Sequence, residues 1–280
     1  MENKGFYKKI LDCIYSIKNI ENNNKFHKVI TVFGFKFKFV DSESRIERLE
    51  NNVSLSKKSI FEELNKVKKE ICIFKNWQSN FYKDFPDEFP QSLSESEKMT
   101  LCKYYANSSN YLEFGSGGST FIALNNPNLI INSVESDKNW LDYILSYFFL
   151  NNAHKENRLK FHYVDIGKIR AWGYPVDDTK KENYPFYSSG VFNNINNKAI
   201  DLVFIDGRFR VACALATILN CSKDVIIMIH DYSGREEYHI LEKYLSVVEI
   251  VDTLAIFKIK DNINFAEIKK SYDEYKYSLL

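Results

Sequence analysis

The chain has 280 residues, room for one large α/β domain and an appendage, or at most two domains. Apolar residues make up 45%, enough to bury a core, and a formal net charge of +1 argues against bulk attraction to nucleic acid. The five cysteines (Cys13, Cys72, Cys102, Cys213, Cys221) form no CxxC pair or zinc spacing and fit reduced thiols in a cytoplasm; no secretory leader and no membrane-spanning apolar run are visible.

Taken in chain order, residues 6 to 18 place Phe6, Ile10, Ile14 and Ile17 near helical spacing between lysines. Two readings stand: a basic helix resting peripherally on the inner membrane face, or a short helix packed on its own domain. Residues 1 to 40 carry eight Lys against Glu2, Asp12 and Glu21, a balance of +5. Residues 28 to 40 alternate at period two from Phe33 onward, with Gly34 at the expected turn, and predict a small hairpin or edge strand. Residues 43 to 74 read as a helix with two short apolar runs out of phase, which suits packing on the domain or a weak homo-oligomer contact. Residues 76 to 92, with Pro86 and Pro90, read as a linker. The appendage thus covers 1–92 and the main domain 93–280.

From residue 93 strands and helices alternate. Ser94 to Tyr105 predicts a helix with an acidic first turn, and strands follow at 111–114, 129–134, 159–164, 200–205 and 225–229. Helices are expected at 119–124, 138–150, 208–219 and 238–245, with a long polar loop at 167–187. Segments 247–251 and 254–258 look like a terminal antiparallel pair. This alternation specifies an α/β fold with a doubly wound, mostly parallel Rossmann-like sheet.

The segment Glu113-Phe114-Gly115-Ser116-Gly117-Gly118-Ser119-Thr120 follows a strand and opens a helix. Glycines there let backbone pass close to a ligand. Glu135 ends the next strand 20 residues after Gly115, where an acid accepts hydrogen bonds from ribose hydroxyls. That spacing fits NAD as well as S-adenosylmethionine. Glu113 would suit a cationic amine better than a pyrophosphate, and Asp165 after the third strand would meet an adenine amino group.

LEFGSGGST, VESDKNW, YVDIG, DLVFIDG and IIMIHDY, in this order, resemble the strand-end motifs of class I S-adenosylmethionine-dependent methyltransferases over about residues 93 to 260. The resemblance implies that Glu113, Gly115, Gly117, Gly118 and Ser119 serve the methionyl part, Glu135 the ribose, and Asp165 and Ile166 the adenine. Ser119 stands where many members carry Gly; its hydroxyl is expected to cap the helix. Asp206 and Asp231 resemble the pair that holds Mg²⁺ in catechol-type and macrolide-sugar O-methyltransferases, although Tyr232 follows where those enzymes usually supply a third oxygen ligand. The metal-free alternative makes His230 the base for an acceptor hydroxyl.

Arg208 and Arg210 offer forks for an acceptor carboxylate or phosphate, and Trp172 and Tyr174 offer aromatic faces for a sugar. The stretch 33–39 loosely resembles segments of bacterial surface-polysaccharide enzymes, which implies a saccharide acceptor. No NPPY-type motif for exocyclic amines occurs. The rivals are an NAD-dependent oxidoreductase or sugar-nucleotide enzyme on the same fold, and a non-catalytic scaffold.

Overall fold

The structure, a computed structural model, describes residues 92–280 and the backbone of three earlier strands, β1 (Tyr15–Asn22), β2 (Lys25–Val32) and β3 (Phe35–Val40). The chain divides into two compact units, Met1–Asn65 and Lys66–Leu280. In the first, β1, β2 and β3 form an antiparallel sheet in that order. The hairpin expected over 28–40 is therefore present as β2 and β3. The helix expected over 6–18 is overturned at its end, because Tyr15 to Lys18 pair with β2; once each residue is fixed in an inter-strand ladder, helical spacing of apolar residues loses its meaning. Residues 6–14 and the helix and linker expected over 43–74 and 76–91 lie outside the described residues.

The second unit opens with helix α1 (Glu95–Ala106). Ser94 caps it: its hydroxyl accepts from the Glu97 N–H, and Glu97 returns a carboxylate to the Ser94 N–H. Then come β4 (Asn110–Phe114), α2 (Gly118–Ala123), β5 (Ile130–Glu135), α3 (Lys138–Ile144), α4 (Phe148–Lys155) and β6 (Leu159–Tyr163). The single helix expected over 138–150 is broken, since the Ser146 hydroxyl bonds back to the Tyr143 carbonyl and Asn151 to the Leu145 carbonyl, closing a turn. The polar loop expected over 167–187 holds structure too: a short hairpin of β7 (Ile169–Arg170) and β8 (Tyr174–Pro175), then helix α5 (Tyr184–Ser189).

The chain continues through β9 (Leu202–Ile205), α6 (Arg210–Asn220), β10 (Ile226–Ile229), a 3-10 helix (Glu236–Lys243), β11 (Leu245–Val251) and β12 (Leu254–Ile259). The final helix, α7 (Phe265–Tyr275), was not expected; Asn264 caps it by accepting from the Ala266 N–H.

Seven strands form one sheet in the order β11-β12-β10-β9-β4-β5-β6. β12 runs antiparallel to both neighbours, and the pairs from β10 to β6 are parallel. Side chains alternate between two apolar layers, as period two requires. Leu112, Phe114, Val203, Ile205, Ile227 and Ile229 face α5, α6 and α7, whereas Tyr111, Leu202, Phe204 and Met228 face α1 to α4. Strand order reverses between β4 and β9. Their carboxyl ends lie side by side, with the Asp206 N–H donating to the Phe114 carbonyl at 2.9 Å, and this is where such sheets bind ligands. Among the described residues no helix is long and apolar enough to cross a membrane.

Candidate functional site

Two tight turns meet at that reversal. Gly115 has φ +97°, and a Cβ there would lie 2.8 Å from the Gly207 backbone. A Cβ on Gly207 would lie 2.1 Å from the Tyr187 hydroxyl. Glycine at both positions lets one turn pack on the other. Gly117 is different: a Cβ there would meet only Trp140, at 3.9 Å, so it borders open space.

The N–H groups of the glycine turn are spent inside the protein. Gly115 N–H donates to the Val134 carbonyl (2.9 Å), Ser116 N–H to Glu135 (3.0 Å) and Gly117 N–H to the Thr120 hydroxyl (2.8 Å). Thr120 therefore makes the cap expected of Ser119. The Ser119 hydroxyl instead donates to Glu113 at 2.9 Å, as does Tyr111, and Thr120 donates to the other carboxylate oxygen. Glu113 is fully buried beneath the turn. Burial pushes its carboxyl up to about 7, against the hydroxyls that favour the ionised form. These hydrogen bonds tie it to the start of the helix that follows the turn.

Glu135 is buried beside the turn. One carboxylate oxygen accepts from Ser136 N–H (2.6 Å) and Asp137 N–H (2.9 Å), and the other accepts from Ser116 alone, leaving one lone pair. Burial raises its pKa despite these donors. Trp140 stands beside it and donates from its indole to the Ser116 carbonyl. Asp165 is exposed, with Lys180 at 3.5 Å, whereas the Ile166 side chain is buried in the core. Only Asp165 of this pair exposes its side chain.

Across the turn lies a charged cluster. His230 is buried, with Nδ1 2.9 Å from Asp206 and Nε2 3.4 Å from Glu97. Burial lowers the pKa of its ring, but the hydrogen bond and charge of Asp206, with Asp231 and Glu97, outweigh that and raise it. Both nitrogens are turned to carboxylates, so in this arrangement His230 offers neither of them to an acceptor hydroxyl. Asp206 shows the reverse balance: burial pushes it up, and His230 and Arg210 together hold it below the usual carboxylate range. Glu97, read in the sequence only as a helix cap, also accepts from the Thr253 N–H and hydroxyl, so it ties α1 to β12 and His230.

Arg210 lies in the same cluster. Three of its N–H groups donate to carbonyls, Nε–H to Gly207, Nη1 to His230 and Nη2 to Asp206, and the Asp231 and Asp206 carboxylates lie 3.3 and 3.2 Å from Nη1 and Nη2. Buried and paired in this way, its guanidinium is engaged inside the protein. The carbonyl and carboxylate oxygens of Asp206, His230 and Asp231 thus already surround a cation. Asp206, His230 and Asp231 bring ligand atoms within 4.8 Å of one another, but Mg²⁺ would have to displace this guanidinium, so the residues do not fit a resident ion.

Phe209, with φ +58°, separates Arg210 from Arg208. The Arg208 guanidinium lies 4.2 Å from the Tyr174 ring centre, and Trp172, at φ +64° in the β7–β8 turn, is 80% exposed. Arg235 pairs with Asp231 at 3.2 Å. Sequence reasoning gave no site role to Glu97 or Arg235, which belong to no strand-end motif, nor to Trp140, although it closes the VESDKNW motif.

No protein-family model matches the chain, and no curated protein matches it. Among solved structures, a methyltransferase-like protein from Silicibacter pomeroyi is 30% identical over 68% of this chain and 98% of its own, with a TM-score of 0.59. More distant are a cofactor-bound protein from MTB (14% identity, 67% and 91% covered, TM-score 0.44) and an SAH-bound methyltransferase from Podospora anserina (15%, 68% and 88%, 0.39). With the seven-strand order, the glycine turn at the reversal point and an acid ending the strand beside it, the first of these likenesses gives the family: the chain belongs to the class I, Rossmann-like superfamily of S-adenosylmethionine-dependent methyltransferases.

Proposed function

We propose that the chain transfers the methyl group of S-adenosylmethionine to a hydroxyl oxygen of a small acceptor, a saccharide in bacterial surface-polysaccharide synthesis. One observation carries this reading over a nicotinamide or sugar-nucleotide enzyme. The turn's N–H groups at Gly115, Ser116 and Gly117 are spent internally, and Glu113 lies beneath the helix start. A pyrophosphate needs those N–H groups and is repelled by that carboxylate. A cationic, adenosine-bearing donor needs neither and is drawn to the acids at the strand ends.

When bound, S-adenosylmethionine supplies a methyl group on a positively charged sulfur. In this reading Glu135 offers its spare lone pair to the ribose and Asp165 meets the adenine edge. Gly117 and Gly118 keep side chains away from the methionyl part. Asp206 accepts a hydrogen bond from the acceptor hydroxyl, aligns an oxygen lone pair with the methyl carbon and takes the hydroxyl proton as the O–CH3 bond forms and S-adenosylhomocysteine leaves. His230 is a positioning residue that holds Asp206. Trp172 and Tyr174 supply aromatic faces for a sugar ring. Membrane contact through residues 6–18 and self-association through 43–74 belong to the same proposal.

Separate titrations with S-adenosylmethionine and NAD test it. The expected result is saturable S-adenosylmethionine binding, no NAD binding, and about 10- to 100-fold weaker binding in Glu135→Gln, the loss of a hydrogen bond to a charged group. Tight NAD binding without S-adenosylmethionine binding would end the reading.

A further inference from the structure

We propose that the acceptor carries a carboxylate or phosphate that docks on Arg208 beside Tyr174. Calling this ligand the acceptor rests on the methyl-transfer reading; the anion site itself rests on the following geometry.

Arg208 is 7% exposed, and its Nε–H is buried with no hydrogen-bond partner. Among the described residues no carboxylate oxygen lies within 4.0 Å of it, whereas Arg210 meets two and Arg235 one. A buried guanidinium without a counter-ion is costly, and an orphaned N–H adds to that cost. The Tyr174 ring takes one face of Arg208, but a ring face does not satisfy an edge N–H.

The surrounding charge points the same way. Asp206 and Asp231 are opposed by Arg210 and Arg235, and Glu97 by His230, so each of these acids already has a cation. Among the described residues Arg208 and Arg170 form no ion pair, although Asp206 feels the charge of Arg208. Arg170 lies 5.7 Å from the same Tyr174 ring, so both cations flank one side chain. The Tyr174 hydroxyl reports the positive potential: burial raises its pKa, yet Arg208 and Arg235 draw it below the ordinary tyrosine value. A guanidinium edge matches a two-oxygen anion in a planar fork. The site is on the β9–α6 side of the glycine turn, next to Asp206, where an acceptor hydroxyl would lie. An anionic substituent on Arg208 would fix the acceptor's orientation against Asp206.

The test uses the full chain and calorimetric titration with glucuronate, inorganic phosphate and glucose, each with and without S-adenosylhomocysteine. Glucuronate or phosphate is expected to bind wild type, with glucose at least about tenfold weaker, the worth of one charge-assisted hydrogen bond. Glucuronate alone would assign a carboxylate, and phosphate alone a phosphate. Arg208→Gln should weaken the anion about tenfold or more and leave S-adenosylmethionine affinity within about twofold, and Arg208→Lys should recover part of the loss. Equal binding of glucose and glucuronate, no anion binding to wild type, or unchanged anion affinity in a folded Arg208→Gln would overturn the proposal. The wild-type titrations remain decisive if that variant does not fold. Absence of S-adenosylmethionine binding would sink the methyl-transfer reading alone, since the titrations without cosubstrate still report the anion site.

Discussion

Arg210 stands between Asp206 and Asp231, with Nη2 3.2 Å from one carboxylate and Nη1 3.3 Å from the other. The pair that the sequence offered to Mg²⁺ is thus already neutralised by a side chain. Methyl transfer is therefore expected to survive EDTA and to gain nothing from added Mg²⁺, as measured with radiolabelled methyl donor. Removing the cation is another matter. Arg210→Ala leaves two partly buried carboxylates facing each other and strips three carbonyls of donors. Urea unfolding should report a loss of about 3–5 kcal/mol. Activity abolished by EDTA, or an unchanged midpoint in the variant, contradicts this arrangement.

Gly207 and Tyr187 form a second testable pair. A methyl group at 207 meets the Tyr187 hydroxyl at 2.1 Å and the Phe114 carbonyl at 3.0 Å. Gly207→Ala is expected to cost about 1–3 kcal/mol by overpacking. Adding Tyr187→Phe removes the closest of these atoms, so the double variant should recover part of the loss in a double-mutant cycle. Strict additivity would mean the hydroxyl is not what forbids a side chain.

Much of this was legible in the sequence, and the boundary has a physical cause. β9 and β10 are apolar runs, β4 and β5 are largely buried, and all four end beside Gly or an acid, so turn chemistry and strand-end position agreed at Glu113, Glu135, Asp206 and Asp231. What those acids touch was not legible. Glu97 reaches His230 only because α1 packs at the end of β10 and β12. The opposite fates of Arg208 and Arg210 depend on the left-handed backbone of Phe209, a residue type with no preference for it. α7 carries Phe265, Ile268, Tyr272 and Tyr275 at helical spacing, and that signal was present but unread.

His230 offers a kinetic test. In the proposed role it orients Asp206 through the 2.9 Å contact and is not the group that takes the acceptor's proton. His230→Asn should lower kcat by no more than about tenfold and leave the acid limb of the kcat/KM pH profile in place, whereas loss of a general base costs about 10²–10⁴-fold. Disappearance of that limb, with a loss of the larger size, would restore the histidine to the role of base.

Glu113 links the glycine turn to pH. Its carboxyl rises from 4.5 to about 7 because it is fully buried, so the folded protein holds this proton more tightly than the unfolded chain. The stability it contributes is fully present below about pH 4.5 and is lost as pH climbs through about 7. At 1.36 kcal/mol per pKa unit the loss amounts to about 3 kcal/mol at most. Glu113→Gln keeps an acceptor for Ser119 and Thr120 but has no charge to desolvate. The unfolding free energy of the variant, relative to wild type, should therefore move in the variant's favour by up to about that amount between pH 4.5 and 8.5. His230, whose ring pKa is also raised, contributes with the same sign in both proteins and drops out of the difference. Urea midpoints across this range decide it: parallel curves for the two proteins mean that the carboxyl beneath the turn titrates as it does in water.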